Sequence, residues 1–378
     1  MTAKRVPFVD IARFKRDGPK RAGGECKSMR RAFENCGLVR VRPWACARTA
    51  QIGREARRVF REVAMLPPEK QVPLMRPDIG HQLGLTPNRQ EWARDVSRVT
   101  REFTAVIPPE LRPLMGSREH PNENRRWFHR FGPAPEETAF PNLNEANVDP
   151  GVPGFMDIAD EFGSHMLEAV IDALEMLEVA YGLPEGELRG FCTVAPHLVA
   201  PTFIDLTSCA AQGIRVPIRA HEDLNLVTAH LAASHKALVA YMRDGTPVWV
   251  MVSDGELLLQ AGMQLAILTG LKVLPGLHQV MIPSGQRSEL VAAYGRGEIE
   301  MRVGGTLFAH ANSDALMMPL EPFRREPGAE LCPRWLAGHQ IQHELFQIGL
   351  MDPATASDAD LAAAFVSRDG QSLLQLPF

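Results

Sequence analysis

The sequence predicts a mainly β protein with helical cover (α+β) whose core is a double-stranded β-helix, also called a jelly roll. Short strand-like runs separated by turn residues recur between about residues 195 and 310, for example Val248–Val252 after the turn Asp244–Pro247. A long amphipathic stripe precedes these strands and is expected to pack along the outside of the barrel. Repeated strands with an external helix are typical of the jelly-roll architecture.

The length of 378 residues could accommodate two or three average domains, but large β barrels with helical decoration often form one domain of this size. We therefore expect a single domain over residues 1–378. Within it, residues 1–150 would hold helices, strands and the mouth of a pocket, residues 151–320 the jelly-roll core, and residues 321–378 a final helix and tail.

Composition excludes several classes of partner. The net charge is −4 and no basic run is interleaved with aromatic residues, so we expect no nucleic-acid binding. No signal peptide and no long apolar run is present, so we expect no membrane association. The six cysteines are scattered without a metal or disulfide spacing, which indicates reduced thiols in a cytoplasmic protein. A small-molecule partner remains; the oligomeric state is left open.

The N-terminal region is predicted from periodicity. Val6–Ile11 should form a short strand, Lys27–Cys36 a helix that ends at Gly37, and the residues after Gly37 a second strand. Another helix is expected over Ala50–Met65. Residues 71–147 are rich in Pro, Arg and Asn, which predicts loops and short strands. Within them, a run of arginines fits a solvated helix face, or a carboxylate-bearing substrate if it faces the pocket mouth: Arg94, Arg98 and Arg101.

Three further elements complete the coarse prediction. Apolar residues at helical spacing predict a helix over residues 153–181 that ends at Gly182. The following strand, Ala195–Leu206, carries Thr202, a candidate substrate contact. A last amphipathic helix is expected over Leu331–Leu350. The Ala- and Asp-rich tail Asp352–Phe378 follows it, and a lid role for this tail is a hypothesis.

The main candidate site is a metal centre. If Arg219–Val227 is one strand, His221 and Asp223 lie on the same face and Glu222 on the opposite face. With His278 they would form a set of two histidines and one carboxylate that leaves coordination positions open, which favours non-haem Fe(II). Zinc also accepts these ligands with an open coordination position.

The sequence downstream resembles the iron- and 2-oxoglutarate-dependent oxygenases of the isopenicillin N synthase family, which include deacetoxycephalosporin C synthase and the ethylene-forming enzyme. The resemblance is carried by Leu257–Leu265, by Leu268-Thr269-Gly270 before His278, and by the strand that Arg302 opens. The element order of the N-terminal region, closed by Leu66–Lys70, is also similar. The resemblance implies that His221, Asp223 and His278 bind Fe(II), that Arg302 binds the distal carboxylate of 2-oxoglutarate, and that O2 is consumed.

The chain departs from the family pattern at two positions. Met263 replaces an Asp that is peripheral to the metal, and Gly304 replaces a Ser whose hydroxyl assists the arginine. Thr306, on the same strand face, is expected to substitute for that hydroxyl. An arginine supplies the bidentate fork that a carboxylate needs. Arg287 is the competing candidate, but it follows a turn-like segment, whereas Arg302 begins an alternating strand.

Alternation from Arg302 places four residues on the face that should look into the barrel: Gly304, Thr306, Phe308 and His310. Phe308 fits core packing and a substrate contact equally well. A buried imidazole needs partners, so His310 is either a substrate contact or a structural hydrogen-bonding residue. Eight other histidines have no useful spacing relative to the metal ligands and are expected to be surface or structural residues: His81, His120, His129, His165, His230, His235, His339 and His343.

By resemblance, the expected function is a non-haem iron dioxygenase that uses Fe(II), 2-oxoglutarate and O2. It would oxidise, most simply hydroxylate, a C–H bond of a small metabolite of secondary metabolism and release succinate and CO2. Desaturation, cyclisation and ring expansion use the same chemistry and are not separated by the sequence. Two alternatives stay open. One is an oxidative cyclase of the isopenicillin N synthase type that needs no 2-oxoglutarate, and the other is a jelly-roll binding protein without catalysis.

Overall fold

The computed structural model describes residues 5–94 and 107–374. Arg98 and Arg101, for which a helix face or a pocket-mouth position was predicted, lie outside the described residues. Strands occupy these segments: β1 Phe8–Asp10, β2 Leu38–Arg42, β3 Gly84–Thr86, β4 Arg125–Arg130, β5 Leu198–Val199, β6 Thr202–Asp205, β7 Ile218–His221, β8 Val227–His230, β9 Leu238–Tyr241, β10 Pro247–Trp249, β11 Leu257–Ala261, β12 His278–Val280, β13 Met301–Gly304, β14 Thr306–Ala309, β15 Leu316–Met317 and β16 Trp335–Leu336.

Helices precede, interrupt and follow these strands. Their bounds are α1 Ile11–Arg21, α2 Gly23–Cys36, α3 Cys46–Ala64, α4 Pro68–Gln71, α5 Phe155–Tyr181, α6 Leu206–Ala211, α7 Met263–Leu268, α8 Arg287–Gly295, α9 Ala337–Gln347 and α10 Asp358–Ala363. Short 3₁₀ turns connect several of them. Among residues 5–94 and 107–374, none of the helices has both the length and the apolar character that crossing a membrane requires.

The described strands form two main sheets. The larger sheet has ten strands in the order β1-β2-β11-β8-β14-β5-β4-β6-β13, with β3 paired to β4. The smaller sheet has four, in the order β10-β9-β12-β7. Apart from the parallel pair β1 and β2, the ladders are antiparallel. This is the predicted double-stranded β-helix with helical cover.

The outer face of the larger sheet carries the main apolar core. Val227 and Ala229 of β8 pack there in the same cluster as Phe162 of α5. Helix α5 contacts β5, β8 and β14 on one side and α2 and α3 on the other. The helix therefore lies outside the barrel, as predicted, but a second helical layer covers it. The inner face of β8, which bears Thr228 and His230, is left for the site.

Helix ends follow the predicted glycines. Helix α5 ends at Gly182, whose φ of 69° is a left-handed conformation that favours glycine. Helix α2 ends at Gly37, with φ of 66°. A Cβ at Gly37 would lie 2.6 Å from the carbonyl oxygen of Leu274 and 2.8 Å from the amide nitrogen of Gly276. Glycine at this position therefore also lets the segment leading to His278 approach closely.

Several predicted boundaries were wrong for identifiable reasons. The predicted strand Ala195–Leu206 is interrupted before Thr202, because Pro201 has no N–H to donate to a ladder. The last helix begins at Ala337 instead of Leu331, since Pro333 disfavours helical backbone at the residue before it. Helix α1 was not predicted; it contains a kink at Gly18. The six cysteines, all within the described residues, are free thiols, as predicted.

The predicted strand Arg219–Val227 was also wrong, and this correction concerns the site directly. Strand β7 ends at His221 and belongs to the smaller sheet, whereas β8 begins at Val227 and belongs to the larger one. Residues 222–226 cross from one sheet to the other. Asp223 therefore lies in a crossing segment, and strand alternation does not decide where its side chain or that of Glu222 points.

Candidate metal centre and adjoining cavities

The structure brings together the three side chains predicted as metal ligands. His221 at the end of β7 and His278 at the start of β12 are directly opposite each other in the ladder, with ring centroids 4.2 Å apart. Oδ1 of Asp223 lies 3.7 Å from Nε2 of His221. One potential ligand atom from each of the three residues lies within 4.8 Å of the others. Such a separation is compatible with one shared metal ion.

The crossing segment is held in place by the start of helix α7. The amide N–H of Met263 donates to the carbonyl of Asp223 at 2.9 Å, and that of Gln264 donates to the carbonyl of Asn225 at 3.2 Å. A Cβ at Gly262 would lie only 1.9 Å from the carbonyl oxygen of Asn225, so this close approach requires glycine. Contacts between distant segments therefore position Asp223.

Hydrogen bonds orient each candidate ligand. Oδ2 of Asp223 accepts from the Thr228 hydroxyl at 2.6 Å and from Nε2 of Gln260 at 2.8 Å, which leaves Oδ1 facing His221. Nδ1 of His221 donates to the carbonyl of Arg219 at 2.8 Å. Nδ1 of His278 lies 3.0 Å from the carbonyl of Gly276 and 2.9 Å from Nε2 of Gln260, and the tautomer that leaves Nε2 unprotonated is the one that donates to Gly276. In this tautomer the Nε2 lone pair of each histidine is available to a metal.

The protonation states also fit a divalent metal. Burial, followed by the neighbouring His278, lowers the pKa of His221 to about 3, so its imidazole is neutral near pH 7. Burial by itself would raise the pKa of Asp223, but His278 and His221 lower it below its ordinary value. Two nitrogen donors and one carboxylate oxygen, with open positions beside them, suit non-haem Fe(II).

A cavity of about 160 Å³, here called the Arg302 cavity, adjoins the three candidate ligands. Its lining includes His221, Asp223, His278, His230, Arg126, Thr202, Arg302, Gly304, Thr306 and Phe308. Arg302 is only 7% exposed, and its Nε has no hydrogen-bond partner in the described part of the chain. Burial lowers the pKa of Arg302 to about 10, which leaves it cationic near pH 7. A buried cation without a counter-charge is unfavourable, so this arrangement favours an anionic ligand.

Thr306 and His230 lie beside Arg302 in this cavity. They are directly opposite each other on β14 and β8, with the Thr306 hydroxyl 3.2 Å from Nδ1 of His230. Nε2 of His230 is buried, and no described residue forms a hydrogen bond with it. Burial lowers the pKa of His230 to about 4, so the ring is neutral near pH 7. The Arg302 cavity thus offers a cation, a hydroxyl and an unpartnered imidazole nitrogen.

His230 was missed from the sequence because its distance from the metal ligands along the chain has no obvious meaning. Strand alternation offers the signal that could have found it. Thr228 and His230 share the inner face of β8, and the Thr228 hydroxyl binds Asp223. Gln260, which also binds Asp223, is opposite Thr228 in the ladder between β8 and β11. Two neighbouring strands therefore support the site with a row of polar side chains.

The remaining residues predicted on the co-substrate side are also accounted for. A Cβ at Gly304 would lie 3.5 Å from Nη1 of Arg302 and 3.9 Å from the carbonyl oxygen of Thr202, so a serine would fit. Thr202, predicted to contact substrate, is opposite Gly304 and lines the Arg302 cavity. Arg287 begins α8 and is absent from the described lining of this cavity.

A second cavity, here called the Glu222 cavity, adjoins His221 and Asp223 from another side. Its described lining also includes Gln82, Glu91, Trp92, Ala93, Arg94, Asn122, Arg126, Phe128, Leu198, Glu222, Leu224, Asn225, Phe308, His310, Glu344, Leu345, Ile348 and Leu350. Phe308 lines both cavities, and His310 lines only this one. Alternation was expected to place Glu222 away from Asp223, but both line this cavity. The sequence analysis therefore did not identify Glu222 as a site residue, and it did not consider Glu344.

Burial dominates the electrostatics of the Glu222 cavity. It raises the pKa of Glu222 to about 7, against the opposing effect of Arg94. It also lowers the pKa of His310 to about 3, assisted by His197. Nδ1 of His310 has no hydrogen-bond partner within residues 5–94 and 107–374. Both cavities therefore present polar atoms that no described residue satisfies, on two sides of the same candidate metal centre.

Fold and site together define a double-stranded β-helix protein with a two-histidine, one-carboxylate centre. No model of a known protein family matches the chain. The chain is 25% identical over 155 residues to the 2-oxoglutarate-dependent dioxygenase frbJ of Dothideomycetidae sp. (strain 11243). The aligned segment covers 40% of this chain and 42% of that protein. It is 26% identical over 207 residues to the 2-oxoglutarate-dependent dioxygenase phqC of Penicillium fellutanum, and this segment covers 53% of this chain and 56% of that protein.

A solved structure shares the fold over most of the chain. A full-length Neurospora crassa protein, crystallised in complex with alpha-KG, superimposes with a TM-score of 0.66 at 14% identity and covers 90% of this chain and 95% of that chain. The predicted fold class is therefore confirmed. The matches to the two curated relatives span about half of their lengths. All three similar proteins are named as 2-oxoglutarate-dependent or carry alpha-KG, another name for 2-oxoglutarate.

Proposed function

We propose that this protein is an Fe(II)- and 2-oxoglutarate-dependent dioxygenase that oxidises a C–H bond of a small molecule. Hydroxylation is the simplest outcome, with O2 as co-substrate and succinate and CO2 as products. The observation that carries the proposal is Arg302, a buried guanidinium that lines the same cavity as His221, Asp223 and His278. A metal centre that only hydrolyses a bond does not need this cation, whereas the distal carboxylate of 2-oxoglutarate does.

In this proposal, Nε2 of His221, Nε2 of His278 and Oδ1 of Asp223 hold the iron. Bound iron, with 2-oxoglutarate and O2, supplies an oxidant strong enough to attack an unactivated C–H bond. Thr228 and Gln260 hold the Asp223 carboxylate so that one oxygen faces the metal. Second-layer contacts of this kind fix ligand orientation and raise metal affinity.

The Arg302 cavity would receive 2-oxoglutarate. Arg302 would donate two parallel hydrogen bonds to the distal carboxylate, Nε2–H of His230 would contribute a third donor, and the Thr306 hydroxyl would orient this ring. A neutral imidazole carries one proton, and Nδ1 of His230 can accept from Thr306 when that proton is on Nε2. These groups would take over the role of the serine that Gly304 replaces.

The substrate would then enter the Glu222 cavity, on the other side of the candidate ligands. Phe308 lines both cavities and His310 lines the Glu222 cavity, so both are proposed substrate contacts. The lining excludes water from the reacting carbon through apolar side chains such as Phe128 and Leu198. A substrate held here would present a C–H bond to the metal face that the three ligands leave open.

Two finer statements belong to the proposal. The names of the curated relatives support a 2-oxoglutarate-dependent dioxygenase. As a finer part of the proposal, we assign its substrate to secondary metabolism. The segment Leu268–Gly270 before His278 and the strand opened by Arg302 support a place near the isopenicillin N synthase family. The domain boundaries 1–150, 151–320 and 321–378 remain part of this proposal as regions of one domain.

The decisive experiment measures co-substrate use in the purified protein. With Fe(II), 2-oxoglutarate and O2, we expect slow succinate formation even without substrate, and a visible charge-transfer band when 2-oxoglutarate is added to the anaerobic Fe(II) protein. Arg302→Gln should raise the KM for 2-oxoglutarate by about 100-fold, because a charge-assisted bidentate contact is lost. Arg287→Gln, which alters the rival arginine, is the matched control and should leave this KM unchanged.

Each alternative gives a different result in the same experiment. Substrate oxidation and O2 uptake without succinate would indicate an oxidase that does not use 2-oxoglutarate. Failure to bind Fe(II) would indicate a binding protein without catalysis. Loss of 2-oxoglutarate dependence in Arg287→Gln but not in Arg302→Gln would assign the co-substrate to a different cavity.

A further inference from the structure

Two buried carboxyl groups line the Glu222 cavity. Glu222 follows β7 and Glu344 lies on α9, and their side chains are only 2% and 3% exposed. Among the described residues, Oε2 of Glu222 and Oε1 of Glu344 have no hydrogen-bond partner. Buried carboxyl oxygens are rarely left without donors, because removing them from water is unfavourable unless a hydrogen bond replaces the lost solvent.

Arg94 faces both carboxyl groups at ion-pair distance. Its Nη2 lies 3.6 Å from Oε2 of Glu222, and its Nε lies 3.6 Å from Oε2 of Glu344. Both separations exceed the usual range for an N–H to oxygen hydrogen bond. Arg94 therefore supplies positive charge, while Oε2 of Glu222 and Oε1 of Glu344 keep their capacity to accept a hydrogen bond. The cavity can use a donor group brought by a ligand.

The other walls of the cavity are largely apolar. Aromatic and aliphatic side chains surround the two carboxyl groups: Trp92, Phe128, Leu198, Phe308, Leu345, Ile348 and Leu350. Such a lining binds a hydrophobic scaffold, and a few fixed polar groups within it determine which scaffold is accepted. Two guanidinium groups, Arg94 and Arg126, also line the cavity, and Arg126 is paired with Glu91 at 3.1 Å. Four carboxyl groups of the described lining face these two cations, and two of their oxygens can still accept a hydrogen bond, so the complementary feature of a ligand is a donor with positive charge.

We infer that the substrate of this site carries a basic nitrogen on an apolar scaffold, and that Glu222 and Glu344 bind it as a protonated amine. The inference rests on the proposed function, since it takes the occupant of this cavity to be the substrate. An ammonium or secondary amine donates to both carboxyl groups while its carbon skeleton packs on the aromatic walls. Arg94 does line this cavity, so a carboxylate-bearing substrate, which the arginine run would suit, is the competing ligand; repulsion from Glu222 and Glu344 disfavours it.

The test measures binding to the metal-free protein in matched series. Suitable probes are 2-phenylethylamine, 2-phenylethanol and N-acetyl-2-phenylethylamine, and tryptamine, tryptophol and N-acetyltryptamine, compared by ligand-observed NMR titration. We expect each amine to bind about tenfold more tightly than its alcohol and its amide, which is the size of one charge-assisted hydrogen bond. Glu344→Gln and Glu222→Gln should each reduce this preference to less than about threefold.

Glu137→Gln is the matched control, because Glu137 is an exposed carboxylate outside the cavity lining. It should keep the full amine preference. Thermal melting of each variant checks that it remains folded, and Glu344→Gln carries most weight because it lies on α9, away from the metal-binding segment. Equal binding of amines and alcohols, an absence of amine binding in both series, or a preference that survives in both glutamine variants would overturn the inference.

The assay separates this inference from the proposed function. It contains no iron and no 2-oxoglutarate, so a protein that binds amines here but forms no succinate in the co-substrate assay would keep the amine site and reject the dioxygenase. Succinate formation without an amine preference would support the dioxygenase and reject the amine site. A co-crystal or NMR contact between the amine and Glu344 would then locate the bound nitrogen.

Discussion

The hydroxyl of Thr228 donates a 2.6 Å hydrogen bond to Oδ2 of Asp223. Because Oδ2 is occupied in this way, Oδ1 is the oxygen that faces His221 and can bind a metal. Thr228 lies on β8 of the larger sheet, whereas the two histidines lie on the smaller sheet. A contact between the two sheets therefore fixes the carboxylate of the candidate metal centre.

Thr228→Val removes this donor while keeping the shape of the side chain. We expect Fe(II) affinity to fall by about 10- to 100-fold, the usual effect of losing a hydrogen bond to a metal ligand. Titration with Fe(II) or Mn(II) under anaerobic conditions measures it. Thr207→Val is the matched control, since the Thr207 hydroxyl makes an equally short bond to Asp205. Equal metal affinity in the Thr228 variant and the wild type would contradict the role of this contact.

Gly304→Ser should improve co-substrate binding. A Cβ at this position meets Nη1 of Arg302 at 3.5 Å, an ordinary contact, so a serine side chain fits beside the guanidinium. Its hydroxyl would add a hydrogen bond to the distal carboxylate, and we expect the KM for 2-oxoglutarate to fall by about three- to tenfold. Gly285→Ser, in open space, is the control. An unchanged or raised KM in Gly304→Ser would indicate that the carboxylate is not bound at this place.

His230→Leu tests whether the buried imidazole contacts the co-substrate. The leucine keeps an apolar volume but removes Nε2, which has no partner within the described protein. We expect the KM for 2-oxoglutarate to rise by about tenfold while Fe(II) affinity is retained. His235→Leu serves as the control because His235 also lines the cavity but pairs with Ser234 and Glu300. A larger effect on iron than on 2-oxoglutarate would assign His230 to the metal centre instead.

His197 predicts a pH dependence of stability. Its Nε2 donates to the carbonyl of Cys192 and its Nδ1 accepts from the amide N–H of His310, so both nitrogens are satisfied only in the neutral form. Burial lowers the pKa of His197 to about 4. A histidine in the unfolded chain takes up its proton near pH 6.5, so protons favour unfolding below that value and stability falls as the pH decreases.

The expected loss from this one residue is about 3 kcal/mol between pH 6.5 and pH 4. Urea unfolding of the wild type and of His197→Asn across this interval measures it, and the variant should show a shallower pH dependence even if it is less stable at every pH. His120→Gln, at an exposed histidine, is the control. Parallel pH profiles for the wild type and His197→Asn would show that this ring is not the group responsible.

Local signals predicted much of the fold. Gly37 and Gly182 end the helices predicted to stop at these residues, because a left-handed residue after a helix is a local requirement. The hairpin around Asp244–Pro247 forms between β9 and β10 for the same kind of reason. Boundaries set by neighbouring prolines were less accurately predicted, although Pro201 and Pro333 carried the necessary information.

The sequence by itself determined the chemical types of the candidate ligands and of the cation near them. His221, Asp223 and His278 were singled out from side-chain chemistry and strand-like context, and Arg302 from the family resemblance; all four line one cavity. Only the tertiary structure decided how Asp223 and Glu222 point, because their segment is shaped by contacts with α7 instead of by strand alternation. It also decided the roles open to His230 and Glu344. Their meaning depends on which distant strands and helices meet, and such non-local contacts are not encoded in the spacing of residues along the chain.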